Sequence, residues 1–264
     1  MRRTLTGTAA SGPTGSPPPL PDVRGLLDGV PRQRAAGPGP KSPSGPGPQG
    51  RRPRPRHLLP TPTGTPFTFF YAVVLALTSY VTAHADTALV RALHENSSTD
   101  VTHLLSAPVP VLAASALWVA GGIASPFVLG FLLVLTALER RIGGVRTAGV
   151  FLLGHVLATL ATEVPVGLAV LVGHLPDSSL HRLDYGISFG VAASVGALAG
   201  LLTPWLRGPL LAVFGGLLLR DLLALTDPLS DWGHLIALAI GVGTWPWVRR
   251  WAATEAVGGE PLTG

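Results

Sequence analysis

Residues 67–83 read FTFFYAVVLALTSYVTA, seventeen positions without one charged side chain. A helix crossing the hydrocarbon core of a bilayer needs about 20 predominantly apolar residues. This stretch meets that demand and lacks the polar stripe that a helix on the surface of a soluble core would show. Working outward from it, five further apolar segments follow, at about 115–138, 148–172, 186–203, 209–226 and 232–248. Internal glycines and prolines do not disqualify them, because neighbouring helices can satisfy the backbone groups such residues free. The reading is an all-α polytopic membrane protein with six spans over residues 67–250, followed by a short C-terminal tail at 251–264.

Composition agrees. Only 12% of the 264 residues are charged and 47% are hydrophobic, against about 25% charged in a typical soluble domain. Cysteine is absent, which excludes disulfides, thiolate metal sites and cysteine nucleophiles. The eight histidines form no cluster with metal-ligand spacing, so neither a metal nor another cofactor is expected. Phosphate loops, dinucleotide fingerprints and internal repeats are also missing.

The net charge of +5 is unevenly spread. Residues 1–66 hold ten Lys/Arg, two Asp and 16 of the 26 prolines. Such a segment has too little to bury and is expected to be disordered. Its run Arg51-Arg52-Pro53-Arg54-Pro55-Arg56 sits just before the first apolar stretch and reads as a topology anchor, with anionic headgroups as a compatible partner. No nucleic-acid partner is expected. The same set of connections then holds Arg140, Arg141, Arg146, Arg207, Arg249 and Arg250, whereas the alternate set holds only Arg91 and Arg182 among several acids. By the positive-inside rule both termini are cytoplasmic, in the plasma membrane.

That orientation places two residues together. The fourth segment opens Asp184-Tyr185-Gly186-Ile187-Ser188-Phe189-Gly190 and the sixth opens Asp231-Trp232-Gly233-His234. Ser188 and His234 then lie at similar depth near the outer face, where a serine and a histidine can act as nucleophile and base. In the third segment His155, Thr159 and Glu163 are spaced by four and share one helix face. Ionisable groups at membrane depth are functional candidates. An ion pair between Glu163 and Arg220 of the fifth segment is expected, and a proton or ion path through His155 and Glu163 is the transport alternative. Glu139 is expected to pair with Arg140, Arg141 or Arg146, or to cap loop backbone.

In the order of these motifs the chain resembles the rhomboid intramembrane serine proteases, and more closely their divergent actinobacterial rhomboid-like relatives. Glu139-Arg140-Arg141-Ile142-Gly143 is similar to the family's Glu-x-x-x-Gly element. Gly186-Ile187-Ser188 resembles the start of its Gly-x-Ser-Gly motif, and His234 with Gly241 its His-x-x-Gly-x-x-x-Gly motif. The resemblance implies a six-helix rhomboid-like bundle. It makes Ser188 the nucleophile and His234 the general base, supported by Gly186, Gly190, Gly241, Glu139 and Gly143, acting on transmembrane segments of other proteins. The chain also departs from the pattern. The helix-two His-x-x-x-Asn pair that supplies oxyanion donors falls at about Ile123 and Phe127, neither of which can donate. Phe189 and Ala237 stand where the motifs have glycine, and the Trp-Arg element of the first external loop is not evident between 86 and 114. The functions open at this point are an intramembrane serine endopeptidase, an inactive rhomboid-like scaffold that binds client transmembrane helices, and a small transporter.

Overall fold

The computed structural model describes residues 59–258 apart from Ile123. Most of the basic tail, residues 259–264 and one of the two positions expected to lack an oxyanion donor lie outside the described residues. Within them every regular element is helical. Two helices are long and apolar enough to cross a bilayer: α1 (Pro66–His84) and α7 (Gly144–Leu171).

Local structure is already present before the expected boundary at residue 67. Thr61 and Thr65 close a turn in which Thr61 N donates to Thr65 Oγ1 (2.9 Å) and Thr65 N to Thr61 O (2.9 Å), and Pro66 then opens α1. A proline at the first helical position gives up an N–H that would have no helical partner anyway. Three short helices follow: α2 (Thr87–Asn96), α3 (Val101–Ser106) and α4 (Pro108–Ser115). Asp86 caps α2 through Ala88 N (2.8 Å), and Asp100 caps α3 through His103 N (3.0 Å).

The second long rod differs from the segment at 115–138. It starts at Pro126, behind an Ser125 cap, and runs as α5 (Pro126–Gly130), a π-helical turn (Phe131–Leu135) and α6 (Thr136–Ile142). Residues 116–125 are irregular, because Gly121 and Gly122 both take positive φ (80° and 73°) and interrupt the apolar run that hydropathy alone reads as helix. Gly143 (φ 82°) then turns the chain from α6 into α7, its N–H bonded to Glu139 O (2.8 Å). An L-residue would be strained there.

The centre of the molecule is α8 (Ser188–Ala199). Eleven of its twelve residues are buried, so it is apolar on every side, as a fully enclosed helix must be. It packs chiefly on α10 (Pro228–Gly243) and α7. Small residues make that approach possible. A Cβ at Gly241 would strike the Ala193 carbonyl, and one at Gly190 would enter the Phe151 ring. By contrast, only Leu218 is buried on α9 (Pro204–Ala224). The residues expected to form a C-terminal tail from 251 begin as helix, since α11 (Trp245–Gly258) continues past Val248 and places Glu255 on Arg146 (2.8 Å). Three basic residues near this end lie over indole rings, Arg146 over Trp251, and Arg207 and Arg249 each 5.0 Å from the Trp245 centroid.

Candidate active site

Ser188 is the first residue of α8, and the loop before it is held on both sides. Gly186 N donates to Ser115 O (2.9 Å) and Ile187 N to Trp118 O (3.2 Å). Gly186 has φ of 132° and stands against Ala120, which suits glycine alone. Upstream, Thr99 N donates to Asp184 O (2.7 Å), Asp184 N to Ser98 Oγ (3.0 Å) and Ser98 Oγ to Arg182 O (3.2 Å). The first bond of α8 is Val191 N to Ile187 O (3.0 Å). The N–H groups of Ser188, Phe189 and Gly190 therefore precede the helical ladder and are free to meet an anion at the positive end of the helix dipole.

His234 stands on α10, and the structure brings it and Ser188 to one cavity of about 290 Å³. Ser125, Phe127, Asp184, Tyr185 and Ser230 also line it. The histidine is boxed by aromatic rings. Phe127 stacks nearly parallel to it (5.2 Å, 15°), and Phe189 meets it edge-on (5.1 Å, 74°). His234 Nε2 is buried without a hydrogen-bond partner among the described residues. Ser188 and His234 thus face a common space, with no bond from that nitrogen to the hydroxyl. Phe127 and Phe189, the two departures from the family pattern that carry aromatic rings, are the residues that hold the imidazole. A further departure, Ala237, is fully buried in the packing of α10 on α8.

The polar face of α7 is buried as its spacing implies, with His155, Thr159 and Glu163 each at most 2% exposed. Its partners differ from expectation. Glu163 pairs with Arg182 (Oε1 to Nη2, 2.6 Å), not with Arg220. The helix rise explains this. Glu163 lies nineteen residues up α7, about 28 Å from its start, where the loop carrying Arg182 crosses. The helix continues through Pro165 without a break. Arg220 stands on the exposed side of α9, four residues before its end. His155 does not continue a path to Glu163: its Nε2 is bonded instead to Ser115 Oγ (3.0 Å) and Leu112 O (3.1 Å). Arg182 also reaches Asp227 (3.4 Å) and Asp184 (3.8 Å). Burial pushes the Asp184 carboxyl above its ordinary value, against the pull of that guanidinium.

Glu139 lies at the opposite end of the bundle and pairs with none of the three arginines. Its Oε1 accepts from Phe67 N (2.9 Å), and its Oε2 from Thr68 N (2.8 Å) and Thr68 Oγ1 (2.7 Å). It caps the first turn of α1 rather than loop backbone.

The model of the family described as rhomboid-like protein matches residues 63–254. The chain belongs to the rhomboid-like family. It is therefore an integral membrane protein, and its helical core is that family's domain. No curated protein and no solved structure matches it at a significant level. The rhomboid-like match spans both Ser188 and His234 and stops short of most of the basic tail. The structure brings the expected serine and histidine to one cavity, whereas Arg182 was not anticipated, its only signal being a basic residue in an otherwise acidic set of loops.

Proposed function

We propose that this rhomboid-like protein is a six-span intramembrane serine endopeptidase that cuts transmembrane segments near the outer face, using Ser188 and His234 and no cofactor. The observation that carries the reading is the shared cavity: the hydroxyl, the imidazole and the N-terminus of α8 converge on one space of about 290 Å³. Its orientation rests on the Lys/Arg asymmetry, which puts both termini and the Glu139 end in the cytoplasm of a plasma membrane protein. Residues 67–250 form the catalytic domain, preceded by a basic tail whose arginine run serves as a topology anchor and is compatible with anionic headgroups.

In this mechanism His234 turns off its stack with Phe127 until Nε2 meets Ser188 Oγ. It takes the hydroxyl proton as Oγ attacks the peptide carbonyl, then returns a proton to the leaving amine. The Ser188 N–H, at the start of α8, receives the developing oxyanion. Ser125 supports a second contact. Ser125 lines the cavity, and its Oγ accepts from Phe127 N (3.4 Å), which leaves its own proton for donation. With no side-chain amide from the second rod, the rate falls below that of a fully equipped site by a factor on the order of 10²–10³.

A second reading is favoured by one observation, the parallel stack of His234 on Phe127. An imidazole held there permanently would leave a scaffold that binds client transmembrane helices without cutting them. A fluorophosphonate probe separates the two. The peptidase labels at Ser188 in membranes, loses the label in Ser188→Ala, and labels faster in Phe127→Asn, which frees the histidine and adds a donor. Absence of label from both the native chain and Phe127→Asn, with client helices still co-purifying, assigns the scaffold.

A further inference from the structure

Ala199, at the end of the central helix α8, and the three residues after it take hydrogen bonds from arginines on three other helices. Arg207 of α9 donates from Nε to Ala199 O (3.0 Å) and from Nη2 to Leu202 O (2.9 Å). Arg249 of α11 donates from Nε to Gly200 O (3.0 Å), and Arg141 of α6 from Nη1 to Leu201 O (3.4 Å). A cation is well placed at a helix C-terminus, whose free carbonyls amount to about half a negative charge. Three guanidiniums exceed that several-fold. None of the three makes an ion pair with a carboxylate among the described residues. Capping therefore accounts for the hydrogen bonds and leaves positive charge in surplus.

Two of these cations are fixed by one indole. Trp245 Nε1 donates to Gly196 O (2.8 Å), and Arg207 and Arg249 each lie 5.0 Å from its ring centroid, so they are at most twice that distance apart. Both terminal nitrogens of Arg249 and Nη1 of Arg207 carry no bond among the described residues. Depth follows from their neighbours. Trp205 and Trp247, each two residues before one of these arginines, are 89% and 52% exposed. Exposed tryptophans on a membrane protein mark the headgroup level. The abundant anion at that level is a lipid phosphate, which takes charge-assisted N–H bonds from guanidinium groups. A headgroup with its own ammonium brings a like charge to the cluster; phosphatidylglycerol does not.

We propose that Arg141, Arg207 and Arg249 form a site for the phosphate of one anionic phospholipid at the end of the bundle away from Ser188. The site is separate from the basic tail and does not depend on the peptidase reading. The test is native mass spectrometry of the full chain, delipidated in detergent and offered equal amounts of phosphatidylglycerol, phosphatidylcholine and phosphatidylethanolamine with the same chains. One phosphatidylglycerol is retained per protein, several-fold over the other two, and Ser188→Ala retains it equally. Inorganic phosphate added with the lipid does not displace it. Arg249→Gln loses the preference, whereas Arg250→Gln, the same charge change one residue along, keeps it. Arg249→Glu gives Arg207 a carboxylate from the chain itself, so the lipid is lost while the unfolding temperature in detergent does not fall; this variant separates loss of the site from loss of the fold. Equal retention of all three lipids by the native chain overturns the proposal. So does an equal loss in Arg249→Gln and Arg250→Gln, which would make the effect one of overall charge, or a phosphate adduct that takes the lipid's place.

Discussion

Two glutamates are buried among the described residues, one toward each end, and they are treated differently. Glu139 receives three hydrogen bonds, and both its oxygens are used by the first turn of α1. An anion is well placed against the free N–H groups and dipole of a helix start. Glu163 has one bond, to Arg182, and one oxygen with no partner. Toward the Ser188 end His155 Nδ1, Thr159 Oγ1 and His234 Nε2 are also buried without partners among the described residues, whereas near Glu139 Thr136 Oγ1 is the one such atom. Buried polar networks rigidify when complete and are costly when partial. The Glu139 end is therefore the clamp that holds the fold, and the Ser188 end is where groups stay free to change partners.

The largest effect that tests this contrast is at the clamp. Glu139→Ala strips two backbone N–H groups and a hydroxyl of their acceptor. At about 1–3 kcal/mol for each buried donor left alone, the loss is about 4 kcal/mol, with some relief from water entering at the chain's turn. Denaturant unfolding in detergent measures it. A loss below about 1 kcal/mol would mean that α1 is held by packing and that the clamp is incidental.

A smaller and asymmetric effect is expected at the other end. Arg182→Gln leaves Glu163 buried without a counter-charge, and breaking such a pair costs about 3–5 kcal/mol. The guanidinium side chain is 21% exposed, so the low end of that range applies. Glu163→Gln costs less, about 1 kcal/mol, because Arg182 keeps Asp184 and Asp227. The double variant should be milder than the sum of the two, since the residues share one network. Equal losses from both single variants would erase the distinction between a saturated end and a loosely paired one.

Parts of this arrangement were readable from residues alone. The apolar run at 67–83 is α1 to within a residue at each end, and the spacing of His155, Thr159 and Glu163 gave one buried face of α7 correctly. The order of Ser188 and His234 along the chain pointed to the two helices that share the cavity. What failed was pairing across distance. Glu139 and Thr68 lie 71 residues apart, and nothing in hydropathy says which helix start a carboxylate will find. The choice of Arg220 for Glu163 assumed that charges inside apolar segments neutralise one another, whereas the loop supplied the counter-charge. The second rod was misjudged at its start because apolar content outweighed local chemistry. Gly121-Gly122 and Ser125-Pro126 are a break and a helix start in the sequence itself. The stack of Phe127 on His234 depends on side-chain rotamers and left no trace in the residue pattern.

The smallest effect expected is a pH dependence at Asp184, in the loop that leads into Ser188. Its Oδ2 accepts from Thr99 Oγ1 (3.1 Å) and stands 3.8 Å from Arg182. Burial nevertheless wins and raises the carboxyl above its ordinary value of 3.8. A raised acid binds its proton more tightly in the folded chain than in the unfolded one. Its contribution to stability is complete below pH 3.8 and is lost as pH climbs through the raised value. Asp184→Asn removes the titration. The native chain should therefore lose stability relative to that variant as the pH rises above 3.8 and through the raised value. Unfolding temperatures of the two proteins across that range give the comparison directly. Parallel curves would mean that the Arg182 attraction cancels the burial. The loop before Ser188 would then be as fully paired as the clamp at Glu139, and the contrast between the two ends would narrow to Glu163 and His234.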